Sequence, residues 1–212
     1  MLKSEIAVLP KRYRTNLINS LSGFKSGNLI GTISPDGQEN LAIFTSVVHL
    51  GANPAMMGFI MRPVSVPRHT YENIIATKQF TINQVAIDFY KKAHQTAARY
   101  DREQSEFAAT GLTSFYSGNC LAPYVKESAV KIGLSFVEAL EIKANGTQMM
   151  IGAIEEVIVA PELILEDGYL DLEQAGTVAV SCLDGYHQTN QLARLTYAKP
   201  DREPEELGKS PS

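Results

Sequence analysis

Three apolar runs between residues 40 and 85 carry polar groups at their ends or in their interiors. Asn40 to Val48 holds the hydroxyl pair Thr45-Ser46. After a turn at Asn53-Pro54, a second run, Ala55 to Met61, ends on Arg62-Pro63 and is followed by the basic, hydroxyl-bearing Arg68-His69-Thr70. A third run, Phe80 to Val85, encloses Asn83 and Gln84. A bland core excludes such groups, because a buried amide without a partner costs about 1–3 kcal/mol. Hydroxyls, guanidiniums and a candidate helix start beside apolar walls suit a ligand that is phosphate-bearing, flat and partly apolar.

Other chemistries lack their signatures. No GxGxxG follows a strand and no GxxxxGK[ST] is present, so neither common phosphate-cradling loop is readable. HExxH and GxSxG are missing too. His49, His69, His94 and His187 are scattered without ligand spacing, so no metal site is expected. Cys120 and Cys182 stand far apart, without a CxxC partner, and read as two reduced thiols of a cytoplasmic protein.

The polar groups must be positioned by short strands and few helices. Lys11 to Leu21 reads as an amphipathic helix with Tyr13, Leu17 and Leu21 on one face. Asn28 to Ser34 reads as a strand, and Ser34-Pro35-Asp36-Gly37 as a turn into Asn40–Val48, making an antiparallel hairpin. Ala55 to Met61 is the next strand. Thr70 is a candidate N-cap for a helix carrying Tyr71, Ile74 and Ile75. Phe80 to Ala86 returns as a strand. Asp88 to Tyr100 reads as a helix capped by Asp88, and a short helix falls near Ser105 to Ala109 within a surface connection. Val130 to Lys143 and Met149 to Val159 form a hairpin about Asn145-Gly146. Pro161 to Gly176 is an acidic loop and Thr177 to Leu183 a last strand. About seven short strands, mostly hairpin-linked, argue for a mainly β protein: a closed or nearly closed antiparallel barrel rather than a doubly wound sheet.

With 212 residues, 44% hydrophobic and 20% charged, the chain suits one soluble globular domain. A net charge of -4 argues against a general nucleic-acid coat. No apolar run is long enough for a transmembrane helix, and the start shows no secretory signal. The expected organisation is an N-terminal segment 1–24, a domain 25–200 and a polar, flexible tail 201–212.

Taken together, these stretches resemble the flavin reductase-like family with the FMN-binding split-barrel fold. The residues that carry the likeness are Asn40 through Thr45-Ser46, Asn53-Pro54, Arg62-Pro63, His69-Thr70 with Asn73-Ile74, and Phe80 through Asn83 to Val85. It continues through Ala93-His94 with Thr96, Ser105-Glu106-Phe107, Gly111-Leu112-Thr113, then Tyr186 and Arg194 to Ala198, covering roughly residues 25 to 200. No single piece is very specific; their order and spacing are. Asn53-Pro54-Ala55-Met56-Met57 departs from the double proline and long aliphatic run frequent in the family.

The resemblance implies a six-stranded Greek-key barrel with inserted helices, a homodimer, and FMN bound near the subunit interface. Thr45 and Ser46, with Val47 and Val48, are then assigned to the ring edge and ribityl chain; the alternative is hydroxyls that merely satisfy a strand end. Arg62, Arg68, His69 and Thr70 are assigned to the phosphate, against a solvated basic loop. Asn83 and Gln84 bond either the ring or a neighbouring strand, and Asn40 either the cofactor or its own turn. His94 faces cofactor, nicotinamide or dimer partner, or is structural. Tyr186, with His187, closes over the ring or is ordinary surface. Hydride from NAD(P)H passes directly to flavin N5, so no protein nucleophile or acid–base pair is required. The reading is an NAD(P)H-dependent FMN oxidoreductase; the alternatives are an FMN electron carrier or sensor without its own NAD(P)H site, and a barrel for another ligand such as haem.

Overall fold

The computed structural model describes residues 1–207. Its organising hairpin forms where Pro35, Asp36 and Gly37 reverse the chain, with Gly37 at φ 85° and its N–H donating to the Ser34 carbonyl. The flanking strands are β2 (Asn28–Ile33) and β3 (Glu39–Phe44), preceded by helices α1 (Lys3–Ala7) and α2 (Lys11–Ser20) and the short β1 (Lys25–Ser26). Next come β4 (Val48–Ala52), β5 (Ala55–Met61), α3 (His69–Thr77), β6 (Gln79–Gln84), α4 (Tyr90–Gln95) and α5 (Glu106–Thr110). Then follow β7 (Ser114–Phe115), β8 (Tyr124–Val125), the long hairpin β9 (Lys131–Ile142) and β10 (Thr147–Ile158), β11 (Val178–Ser181), β12 (Gly185–Gln188), β13 (Arg194–Leu195) and β14 (Glu206–Leu207).

Seven antiparallel strands make one sheet in the order β3-β2-β6-β9-β10-β5-β4. Its two edge strands, β3 and β4, are consecutive in sequence, joined only by residues 45–47. A flat sheet of that size would hold its edges about 29 Å apart. The chain from Phe44 to Val48 spans at most about 14 Å. The sheet must therefore curl until its edges nearly meet, which makes it a barrel.

The barrel is filled by Ile30, Phe59, Met61, Phe80, Ile82, Ile132, Leu134 and Met150, with Ile74 of α3 joining them. Phe59 meets Phe44 and Phe80 edge-on, at centroid distances of 4.8 and 5.7 Å. Gly152 leaves room for Phe80: a Cβ there would lie 2.6 Å from its Cζ. Alternation sends Leu29, Leu41 and Val85 to the outer face, where Phe89, Ala93, Phe107, Val178 and Val180 cover them.

The architecture agrees with the expected barrel, but the strand count is seven rather than six. The run Asn40–Val48, read as one strand, is two. It ends at Phe44 on one sheet edge and restarts at Val48 on the other, because closure requires the chain to cross there. The 88–100 helix is shorter, Tyr90–Gln95, with Phe89 rather than Asp88 at its N-cap. Helix α3 begins at His69 with Arg68 as N-cap, so Thr70 lies inside its first turn and its hydroxyl serves another purpose, described below. After the 178–181 strand the chain turns back as β12, giving a small sheet β1-β11-β12. Within the expected tail, Glu206 and Leu207 pair with Leu195 and Arg194; residues 208–212 lie outside the described residues.

Candidate functional site

The crossing segment 45–47 carries the site. Ser46 Oγ donates to the Ile60 carbonyl at 3.2 Å and accepts the Ile60 N–H at 3.1 Å, so a side chain stands in for a strand pair and pins the segment to β5. The backbone N–H groups of Thr45, Ser46 and Val47 find no acceptor among the described residues. Three successive half-buried donors without partners favour an electron-rich ligand atom beside them.

The strand ends at Met61, and Arg62 just beyond it stands exposed. The following loop folds back, with Arg68 Nε donating to the Pro63 carbonyl at 3.3 Å. It delivers the start of α3, whose His69, Thr70 and Tyr71 N–H groups also lack an acceptor among the described residues. Free amides at a helix start favour an anion, and Arg68 is the N-cap of this one. Glu72 fixes this start: one oxygen accepts the Arg68 N–H at 3.0 Å and the other pairs with Arg102. Although burial raises its pKa, these partners hold the Glu72 carboxyl below the usual range. Exposed Val48, Leu50, Val64 and Val66 lie on the two segments flanking the donors and supply apolar surface.

Asn40 ties α3 to the barrel instead of facing solvent. Its Nδ2 donates to Thr32 Oγ1 at 3.2 Å and Thr70 Oγ1 at 3.1 Å, while Asn73 Nδ2 also reaches Thr32 Oγ1 at 3.2 Å. Asn40 and Thr70 therefore place the N-terminal end of α3 through buried bonds. Beside them a cavity of about 10 Å³, lined in part by His69, Asn73, Arg102 and Glu106, has room for a water at most.

Glu106 closes the free edge of β3, its Oε2 accepting the Leu41 N–H at 2.8 Å. Burial pushes this carboxyl above its ordinary value of 4.5, with the Leu41 N–H opposing. A raised folded pKa means that its stabilising contribution is full below 4.5 and is lost as pH rises through the raised value. Glu106→Gln is expected to flatten the fall of stability in that window, read as urea midpoints at stepped pH.

Asn83 is fully buried on the outer face and spends its amide inside the protein: Nδ2 donates to the Leu29 carbonyl and Thr81 Oγ1, and Oδ1 accepts the Val125 N–H. Of the two readings for it, the neighbouring-strand one is what the structure shows. Gln84 differs, since its Oε1 is buried without a partner. Asn28 pairs with both Gln84 and Phe44, so Gln84 lies two strands from Phe44 at the same level of the barrel.

His94 and Tyr186 form a separate pair on the outer face, with Nδ1 and the phenol oxygen 3.0 Å apart. Tyr90 and Tyr186 pack on the same cluster as Ile43, two residues before Thr45. Burial, with Asp184 adding to it, pushes the Tyr186 phenol up to about 12. His187 is engaged elsewhere, with Nε2 2.8 Å from Ser181 Oγ and its ring edge against Phe24. Thus Asn40, Thr45–Val48, Arg62, Arg68, His69 and Thr70 belong to one linked region, Gln84 stands at its level, and Asn83 faces away from it. Glu72 and Arg102 were not singled out from sequence. An acidic residue in a helix's first turn, as Glu72 is, was legible locally; nothing local marks Arg102, which arrives from a distant loop.

Residues 21–171 match the flavin reductase like domain. The chain belongs to this family. A member from Shewanella frigidimarina NCIMB 400, designated a flavin reductase with a split barrel domain, is 51% identical and superposes with a TM-score of 0.90 over 93% of this chain and 98% of that one. A protein of Aquifex aeolicus (strain VF5) is 32% identical over 133 residues, 56% of this chain and 68% of its own length. The flavin reductase-like fold extends to the flavoredoxin of Desulfovibrio vulgaris (Miyazaki F), with a TM-score of 0.70 at 23% identity over 84% of this chain and 92% of that one. Among the described residues, no helix of this flavin reductase-like chain is long and apolar enough to cross a membrane.

Proposed function

We propose that the chain is an FMN-binding flavoprotein oxidoreductase that takes its reducing equivalents from NAD(P)H. The observation that carries this is the set of partnerless amides at 45–47, pinned to β5 by Ser46 and followed along the chain by Arg62, Arg68 and the open start of α3. The donor set fits the group. Arg62, Arg68 and the 69–71 amides suit a phosphate near -2 charge. Thr45, Ser46, Val47 and Val48 suit the ribityl chain and ring edge, and the Gln84 acceptor suits a ring N–H. Bound FMN supplies hydride acceptance and release at its N5. The chain's own work is to orient the ring, neutralise the phosphate and keep one ring face open to the nicotinamide.

A second copy of the chain completes the walls in this reading. Val48, Leu50, Val64 and Val66 are too exposed to enclose a planar ring alone. Free Cys120 and Cys182 fit a reducing compartment such as the cytoplasm.

The test is spectroscopic. Purified protein titrated with FMN is expected to bind it with saturating quenching of flavin fluorescence, and NADH or NADPH added without air to bleach the bound flavin. Bound flavin that neither nucleotide bleaches would make the chain a carrier or sensor. No FMN uptake at all would overturn the reading.

A further inference from the structure

The N-terminal segment 1–24 has the composition of an interface yet packs little of it on its own chain: Phe24 meets His187 edge-on and Cys182 Sγ donates to the Asn16 carbonyl at 3.6 Å. Neither α1 nor α2 contains a buried residue. The apolar stripe of α2 is largely uncovered, with Tyr13 57% and the C-cap Leu21 70% exposed and Leu17 half-buried, and Val8 between the helices is 83% exposed. An amphipathic helix is ordinarily held by burying that stripe. The arm is instead tethered to the 181–185 turn by polar contacts: Lys25 Nζ donates to the Asn19 and Cys182 carbonyls at 2.8 and 3.0 Å.

Two observations say what covers it. The first is area. A globular monomer of 23.2 kDa exposes about 9,700 Å². This chain exposes 12950 Å². The excess, about 3,000 Å², is more than the roughly 1,000–2,500 Å² that each partner of an obligate dimer buries. The second is charge. Residues 1–24 carry Lys3, Lys11, Arg12 and Arg14 against Glu5, a net +3. The whole chain is -4, so the remainder is -7. The arm is a basic, apolar piece on an acidic body, complementary to the body of another copy.

We propose that residues 1–24 reach across to a second copy of this chain and bury the Tyr13, Leu17 and Leu21 face of α2 on it. The arm lies almost wholly before the family match, which begins at residue 21. It rests on the dimer reading above but is separable from it.

Sedimentation equilibrium of the full chain tests it, comparing wild type with Tyr13→Asp/Leu21→Asp and with Lys11→Glu/Arg12→Glu. All four positions are exposed, so the variants are expected to keep the wild-type circular dichroism and unfolding midpoint. The wild type is expected to be a dimer, the apolar pair to weaken it about a hundredfold or more, and the charge pair to weaken it most at low salt. A wild-type dimer untouched by either pair overturns the clasp and leaves the dimer reading standing. A monomeric wild type overturns both. Wild-type binding to vesicles of anionic phospholipid that the charge pair abolishes, with the dimer unaffected, overturns the clasp in favour of a membrane surface.

Discussion

Gly31→Ala is expected to destabilise the fold by about 4 kcal/mol or more, a large share of the 5–15 kcal/mol that holds a domain together. Gly31 sits in the middle of β2, opposite Thr81 of β6. Segment 121–125 passes over this point, and Thr81 Oγ1 donates to the Pro123 carbonyl at 2.6 Å. A Cβ on residue 31 would enter that bond. It would lie 2.5 Å from Thr81 Oγ1 and closer still to the Pro123 oxygen, a backbone atom that cannot swing aside. The substitution must break the hydrogen bond, push the 121–125 segment off the barrel, or separate β2 from β6. The measurement is a urea or thermal unfolding curve, with Gly168→Ala as the contrast. Gly168 also has restrictive geometry, φ 83°, but nothing within 4 Å of the added atom; its replacement should cost only about 1 kcal/mol. If the two variants unfold alike, the 121–125 segment does not pack on β2 as described.

Arg62→Ala together with Arg68→Ala is expected to weaken FMN binding by about a hundredfold to ten-thousandfold. A charge-assisted hydrogen bond contributes about 1.5–3 kcal/mol, or roughly ten- to a hundredfold for each guanidinium. Riboflavin, which lacks the phosphate, separates this from general damage, since its binding should hardly change. The control matters because Arg68 also bonds the Pro63 carbonyl and its loss could loosen the 63–67 loop. Equal losses for FMN and riboflavin would remove both arginines from the phosphate site.

Local signals were legible where local chemistry decides. Pro35-Asp36-Gly37 announced the β2–β3 hairpin and Asn145-Gly146 the β9–β10 hairpin, because each turn needs what those residues provide. The helix after Arg68 was legible from Tyr71, Ile74 and Ile75. The break at 45–47 was not. Asn40 to Val48 carries no Gly or Pro to mark a break, and what divides it is closure of a seven-stranded sheet, a property of the whole chain. Strand β12 escaped because Gly185–Gln188 has no apolar alternation and is held by pairing with β11. The site residues divide in the same way. A run containing Asn83 and Gln84 demands partners for both amides. Only the fold shows that Asn83 finds three and that Gln84 Oε1 finds none.

The tripeptide at 45–47 also has a mechanical role. It is the hinge pin between the first and last staves of the sheet, and the same three residues present the unclaimed donors. A guest that grips those donors latches the container shut, and a strain that prises the staves apart must first loosen the guest. Occupancy and integrity are thus two readings of a single equilibrium, each raising the other.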